Sequence, residues 1–249
     1  MGVQDSAAIV NPVKPQNLPH IGPVAVMAAT PVDLFFLCGL NNFAKDEFRR
    51  IFISRLYFDA TEPDRFSITG PFVGAPYAAM LLETLIVCGA RKIIFIGWCG
   101  AIAAEVKIGD IILPTAAVID EGTSAHYGAK HGGLAQASSS LMLIIRKTLF
   151  KNHQHFHAGP IWTTDALYRE TRQQVEFHQQ KGTLAVEMEI SALYTVARYR
   201  RVDLGGILVV SDELSSLSWQ PGFTNERFRQ SRKTACRLVD TICRALIRK

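Results

Sequence analysis

Cysteine is scarce and scattered, at Cys38, Cys88, Cys99, Cys236 and Cys243. The number is odd and no CxxC pair occurs, which excludes a thiolate metal site of ordinary spacing and a disulfide framework. Reduced thiols in a cytoplasmic protein are the expectation, with no metal and no cofactor implied. No apolar run approaches the ~18 uninterrupted residues that a membrane-spanning helix requires. The N-terminus has no basic segment leading into an apolar core, so a secretory leader is not expected. Internal repeats and low-complexity segments are also missing. The net charge of +5 raises nucleic acid as a partner. Yet eight of the 27 basic residues fall between Arg227 and Lys249, interleaved with Ala235, Leu238, Val239, Ile242 and Leu246 at helical spacing. This pattern describes an amphipathic terminal helix with a solvated basic face. No aromatic stacking platform accompanies it, so neither nucleic acid nor a membrane surface is expected as a partner.

What is present is an ordinary globular composition over 249 residues, 48% hydrophobic and 20% charged, sized for one α/β domain. Residues 1–21 carry prolines without periodicity and are expected to form an arm, leaving 22–249 as the domain. Strands are expected at Gly22–Ala28, Ile51–Phe58, Phe66–Gly70, Lys92–Ile96, Asp110–Leu113, Ala116–Ile119, His157–Trp162, Leu184–Val186 and Ile207–Val210. Helices are expected from Pro31 to about Gly39, over Tyr77–Cys88, Ser138–Phe150 and Glu170–Gln180, and after Glu189. Asp120–Gly128 reads as a polar loop. Strands alternating with helices predict a three-layer αβα fold around a central, largely parallel mixed sheet.

Two acidic corners organise this pattern. Glu187-Met188-Glu189 follows one apolar strand, and Ser211-Asp212-Glu213 follows another. Ligands of open α/β sheets bind beyond the carboxyl ends of strands, so both corners are expected to face one pocket. A plain packing account is also available: Glu187 and Glu189 as first-turn acids at a helix start, and Asp212 as a helix cap. Spacing alone does not separate the two.

The pair VEMEISAL and VVSDEL resembles the signature of the nucleoside phosphorylase superfamily, which includes purine nucleoside phosphorylases, uridine phosphorylases and methylthioadenosine nucleosidases. The likeness runs from about Val24 to Leu246. A second block, Ile93–Ala129, is similar to the family's glycine-bounded turn, followed by its substrate loop. Trp98, Cys99 and Gly100 fall at that turn, and His126 and Tyr127 on that loop. A third block, Gly159–Gln174, resembles the family's aromatic wall for the base, carrying Trp162, Asp165, Leu167 and Tyr168. The resemblance implies cleavage of a nucleoside's N-glycosidic bond. Glu189 would bind the ribose hydroxyls, Met188 would pack on the sugar, Glu187 would lie beside them, and Asp212 would hydrogen-bond or protonate the leaving base. A homo-oligomer (dimer, trimer or hexamer) is implied, with a nucleoside and possibly phosphate as small-molecule partners. His20 and Arg49-Arg50 are candidates for completing a neighbour's pocket.

The anion ligands depart from the family pattern. Asp33 stands where phosphorylases carry a phosphate-binding arginine, Phe95 replaces a second arginine, and Trp98 replaces a Ser or Thr. A carboxylate beside phosphate repels it. Nucleosidases of the superfamily carry a water-activating glutamate in the first of these turns, and Asp33 matches it. Hydrolysis, with Asp33 as general base, is therefore preferred over phosphorolysis through a rearranged site using Arg91, Lys92, Arg169 or a neighbour's cation. A non-catalytic nucleoside-binding relative is the remaining alternative.

Overall fold

The computed structural model describes residues 8–16, 18, 20–59, 61–62 and 65–247. Residues 1–7 and 17 and 19, part of the expected arm, lie outside the described residues. In the rest of that segment Ile9, Val10 and Val13 are exposed, while Leu18 and Ile21 are buried.

The elements run β1 (Val24–Ala28), α1 (Pro31–Leu40), β2 (Arg49–Ile51), β3 (Ser54–Tyr57), β4 (Ser67–Gly70), α2 (Ala75–Cys88), β5 (Lys92–Ala101) and β6 (Ile111–Asp120). They continue with α3 (Thr123–His126), β7 (Leu134–Gln136), α4 (Ser139–Lys151), β8 (His157–Thr164), a 3-10 turn (Leu167–Arg169), α5 (Arg172–Gln180) and β9 (Ala185–Glu187). The chain closes with α6 (Ile190–Arg200), β10 (Asp203–Glu213), β11 (Gln220–Pro221) and α7 (Glu226–Ile247). One mixed sheet carries the strands, and its long ladders, β5 with β10, β6 with β8 and β1 with β5, are parallel.

The expected three-layer architecture is present. One apolar layer joins the sheet to α2 and α6, through Leu81, Leu85, Leu193 and Val196. The other joins it to α1, α4 and α7, through Leu34, Leu37, Ile145, Val239 and Ile242. Helix α7 buries the apolar residues that the sequence spacing picked out and turns its arginines outward, Arg232 excepted.

Three local expectations are corrected. The strand expected over Ile51–Phe58 is a hairpin of β2 and β3, turned at Phe52, whose φ of 52° lies in the left-handed region. The two strands expected between Asp110 and Ile119 are one strand, β6, with a register shift between Pro114 and Ala116. The glycine-bounded turn at Gly97–Gly100 is the second half of β5. There β5 leaves β1 and pairs with β9, while β10 stays on its other side. Pairings β5–β10, β10–β6, β6–β8, β8–β9 and β9–β5 thus close a ring of strands at one end of the sheet.

Candidate functional site

A cavity of about 720 Å³ opens at the rim of that ring. Its walls come from the start of α1, the segment before α2, the end of β5, the stretch after β8, the β9–α6 corner and the end of β10. Both acidic corners face it: Glu187, Met188 and Glu189 from one, Ser211 and Asp212 from the other.

The β9–α6 corner is built from backbone needs. A helix start leaves N–H groups without intrahelical partners. Glu187 Oε2 accepts from the backbone N–H of Glu189 and of Ile190, both at 2.7 Å. Its Oε1 accepts the Thr163 hydroxyl, and Thr163 Oγ1 in turn accepts the Ser191 N–H at 3.0 Å. Glu187 is therefore a helix cap as well as a cavity residue. Glu189 reaches the other way, and its Oε1 accepts the N–H of Gly74, at the start of α2, at 2.6 Å. Two neighbouring carboxylates thus serve two helix N-termini, Glu187 that of α6 and Glu189 that of α2, where negative charge is favoured. Burial nevertheless dominates: it raises both carboxyls above the ordinary glutamate value, and Glu189 raises Glu187 further.

The second corner depends on a bulge. On β5 the register advances from Cys99 to Gly100, while on β10 it advances from Val210 to Asp212. Ser211 is the extra residue, and Ser211 and Asp212 both line the cavity. The Ser211 hydroxyl donates to Asp212 Oδ1 at 2.6 Å, and the Trp219 indole N–H donates to Oδ2 at 3.0 Å. A Cβ at Gly100 would lie 2.6 Å from Leu214 Cδ1 and 3.0 Å from Asp212 Oδ2. Glycine at that position lets β5 pass beneath the carboxylate. The neighbouring Glu213 turns away and accepts from the Ile108 N–H and Lys107 Nζ.

Of the residues expected from sequence, Glu187, Met188, Glu189, Trp98, Cys99, Gly100, Leu167, Tyr168 and Asp212 meet at this cavity. Four do not, Asp33 foremost. It is 1% exposed and absent from the cavity wall. Its Oδ2 accepts the Trp98 indole N–H at 2.7 Å and the Thr30 hydroxyl at 2.8 Å, and Arg232 Nε stands 3.3 Å from Oδ1. Burial raises its carboxyl, and Arg232 opposes that shift. Asp33 joins α1, β5 and α7 and has no access to a substrate water. Trp162 is fully buried; its N–H donates to Asp120 at 2.8 Å, and its ring stacks 4.3 Å from His178. Tyr127 points to Glu83 at 3.2 Å and packs on Tyr199, and His126 is exposed on α3, so neither reaches the wall. Phe95 is also out of the cavity, packed on Phe72. Of Asp33, Phe95 and Trp98, only Trp98 lines the cavity.

The sequence reading missed Glu170, Thr30, Phe72, Val73, Trp219 and Phe223. The helix expected from Glu170 starts two residues later: Glu170 caps the 3-10 turn, just before the Thr171–Gln174 capping box that starts α5 at Arg172. Burial, then the nearby Asp212 charge, raise its carboxyl to about 7. The Thr-x-x-Gln cap in the sequence was the signal that Glu170 lies outside the helix.

Comparison with known proteins now adds to this geometry. A family model described as the phosphorylase superfamily matches residues 23–248. A guanosine phosphorylase of Halorubrum lacusprofundi is 29% identical over 157 residues, 63% of this chain and 64% of that protein. A DeoD-type purine nucleoside phosphorylase of Myxococcus xanthus is 32% identical over 60% of this chain and 63% of its own length. The matched stretch thus spans less than two thirds of these curated relatives. Among solved structures, a uridine phosphorylase from Vibrio fischeri ES114 superposes with a TM-score of 0.78 at 24% identity, covering 91% of this chain and 95% of that one. A purine nucleoside phosphorylase from Toxoplasma gondii, in complex with immucillin-H, gives 0.80 at 18% identity, covering 97% and 99%. These relatives are named as phosphorylases and none of them as a hydrolase, so they lend no support to the preference for hydrolysis. By the match across almost its whole length, the chain belongs to the phosphorylase superfamily.

Proposed function

We propose that this protein cleaves the N-glycosidic bond of a nucleoside by phosphorolysis, giving a ribose 1-phosphate and a free base. The observation that carries the reading is the convergence of Glu189 and Asp212, from separate corners, on one cavity of nucleoside-accommodating size. Glu189 accepts the ribose hydroxyls. Asp212, oriented by Ser211 and Trp219, faces the leaving base, whose plane lies among Leu167, Tyr168 and Phe223. The C1′–N bond breaks toward the base, and negative charge around the sugar stabilises the oxocarbenium-like carbon. Phosphate attacks from the end walled by Thr30, Pro31 and Trp98.

Among the described residues no Lys, Arg or His lines the cavity, so in this reading a second copy of the chain supplies the cation for phosphate. The β2–β3 hairpin is suited to that contact: it exposes Phe52 and Ile53 beside Arg49 and Arg50. The absence of a cation is also the one observation favouring hydrolysis as a second reading, with the Glu187–Glu189 pair rather than Asp33 taking the proton of water. Incubation with uridine, inosine and guanosine, with and without phosphate, tests both. Phosphorolysis gives ribose 1-phosphate only when phosphate is present. Free ribose at equal rates in both conditions replaces it with hydrolysis, and no turnover of any nucleoside overturns the glycosidic reading.

A further inference from the structure

We propose that Glu170 is the acid that protonates the departing base, with Asp212 beside it as an acceptor that keeps its own charge. The inference rests on the glycosidic reading above and assigns a step which that reading left open.

Its ground is the hydrogen bonding of the two acids. Asp212 has a donor on each oxygen, the Ser211 hydroxyl on Oδ1 and the Trp219 indole N–H on Oδ2. Donors on both oxygens suit the ionised form, which only accepts. Held in this way, Asp212 has no proton to give the base. Glu170 is placed the opposite way. Carboxyls beside a helix start commonly accept its free N–H groups, as Glu187 does for α6. At α5, Thr171 and Gln174 cap each other's backbone instead, and Glu170 is left out of the cap. Its own N–H closes the 3-10 turn on the Leu167 carbonyl at 3.3 Å. Its side chain lines the cavity with Leu167, Tyr168 and Asp212, and among the described residues no donor reaches its carboxyl.

The surrounding charges leave the proton on Glu170. Asp212, on β10, is close enough to act on it, and Glu187 and Glu189 line the cavity from the β9–α6 corner. Its chain neighbours Arg169 and Arg172 are exposed and off the wall. Burial, and then the Asp212 charge, favour the neutral acid. The C1′–N bond breaks, its electron pair stays on the base nitrogen, and that nitrogen takes the Glu170 proton. C1′ bonds to an oxygen of hydrogen phosphate, which releases its proton to solvent as the ester forms and so balances the one delivered. Glu170 is half-buried, so solvent reprotonates it once the base has left.

The pH dependence of kcat/KM, which reports the free enzyme, tests the assignment with the nucleoside that wild type cleaves. The wild-type value is expected to fall as pH rises through about 7, where Glu170 gives up its proton. Glu189 accepts the ribose hydroxyls as a carboxylate, so its titration gives a limb that rises with pH and is told apart by sign. Glu170→Gln is expected to lower kcat/KM about a hundredfold at pH 6 and to abolish the falling limb. Glu170→Asp is expected to restore part of the rate together with the limb. 4-Nitrophenyl β-D-riboside, whose phenolate leaves without a proton, is expected to lose less than about threefold in Glu170→Gln. Equal slowing of both substrates, or a falling limb that survives in Glu170→Gln, overturns the proposal and leaves the glycosidic reading standing. A wild-type enzyme that cleaves neither compound overturns both.

Discussion

The Trp98 indole N–H donates to Asp33 Oδ2 at 2.7 Å, so a side chain of the cavity wall is fastened to a buried acid in the first turn of α1. The two departures from the family pattern are one structural unit, closed on the far side by Arg232. Trp98→Phe keeps the ring and removes the donor. It is expected to destabilise the fold by about 1–3 kcal/mol, the cost of leaving a buried acceptor short of a partner. A shift in the urea midpoint at unchanged m-value is the measurement.

Asp33→Asn follows from the same unit. Asp33 has no access to the cavity, so turnover is expected to stay within about threefold of wild type, while stability falls by about 1–3 kcal/mol. Steady-state kinetics beside a denaturation curve checks it. A loss of kcat of about a hundredfold or more at intact stability would return Asp33 to the role of general base.

Gly100→Ala drives a methyl against Leu214 and the Asp212 carboxylate. Displacing an acid by about 1 Å is expected to cost about a hundredfold in kcat/KM, with about 1–3 kcal/mol lost to overpacking. Kinetics on a neutral nucleoside, with thermal melting alongside, reads both effects.

Glu170 gives a pH dependence whose sign is fixed. Its carboxyl rises from 4.5 to about 7 on folding, so the folded state holds the proton more tightly than the unfolded chain. Its contribution to stability is full below pH 4.5 and is lost as pH rises through about 7. In Glu170→Gln the fall in melting temperature between pH 5 and pH 8 is therefore expected to be shallower than in wild type. An identical slope would mean that Glu170 titrates normally. Glu187 and Glu189 are also raised and act in the same direction, so the variant keeps part of the slope.

The layered fold and both acidic corners were legible because they rest on local signals. Apolar runs such as Ile93–Ile96 and Ile207–Val210 fill strand interiors, and the helical spacing after Glu189 fixes the start of α6. What could not be read depends on contacts distant in sequence. Asp33 and Trp98 stand 65 positions apart, and nothing local says that they bond to each other rather than face a ligand. Trp162 suits a base wall by residue type, but the Asp120 carboxylate takes its N–H and His178 covers its face. Gly97 and Gly100 read as a turn because glycine weakens strands, whereas here it marks close approach of Phe95, Leu214 and Asp212.

The extra residue at Ser211 has a consequence for anyone altering this strand. Side chains along a regular strand alternate sides, and at the β10 bulge that alternation is interrupted with Ser211 and Asp212 both on the wall. Shortening β10 by a single position there would restore the alternation, leaving either the hydroxyl or the carboxylate facing the nucleoside, but not both. At this rim the count of residues is as much a determinant of chemistry as their identity.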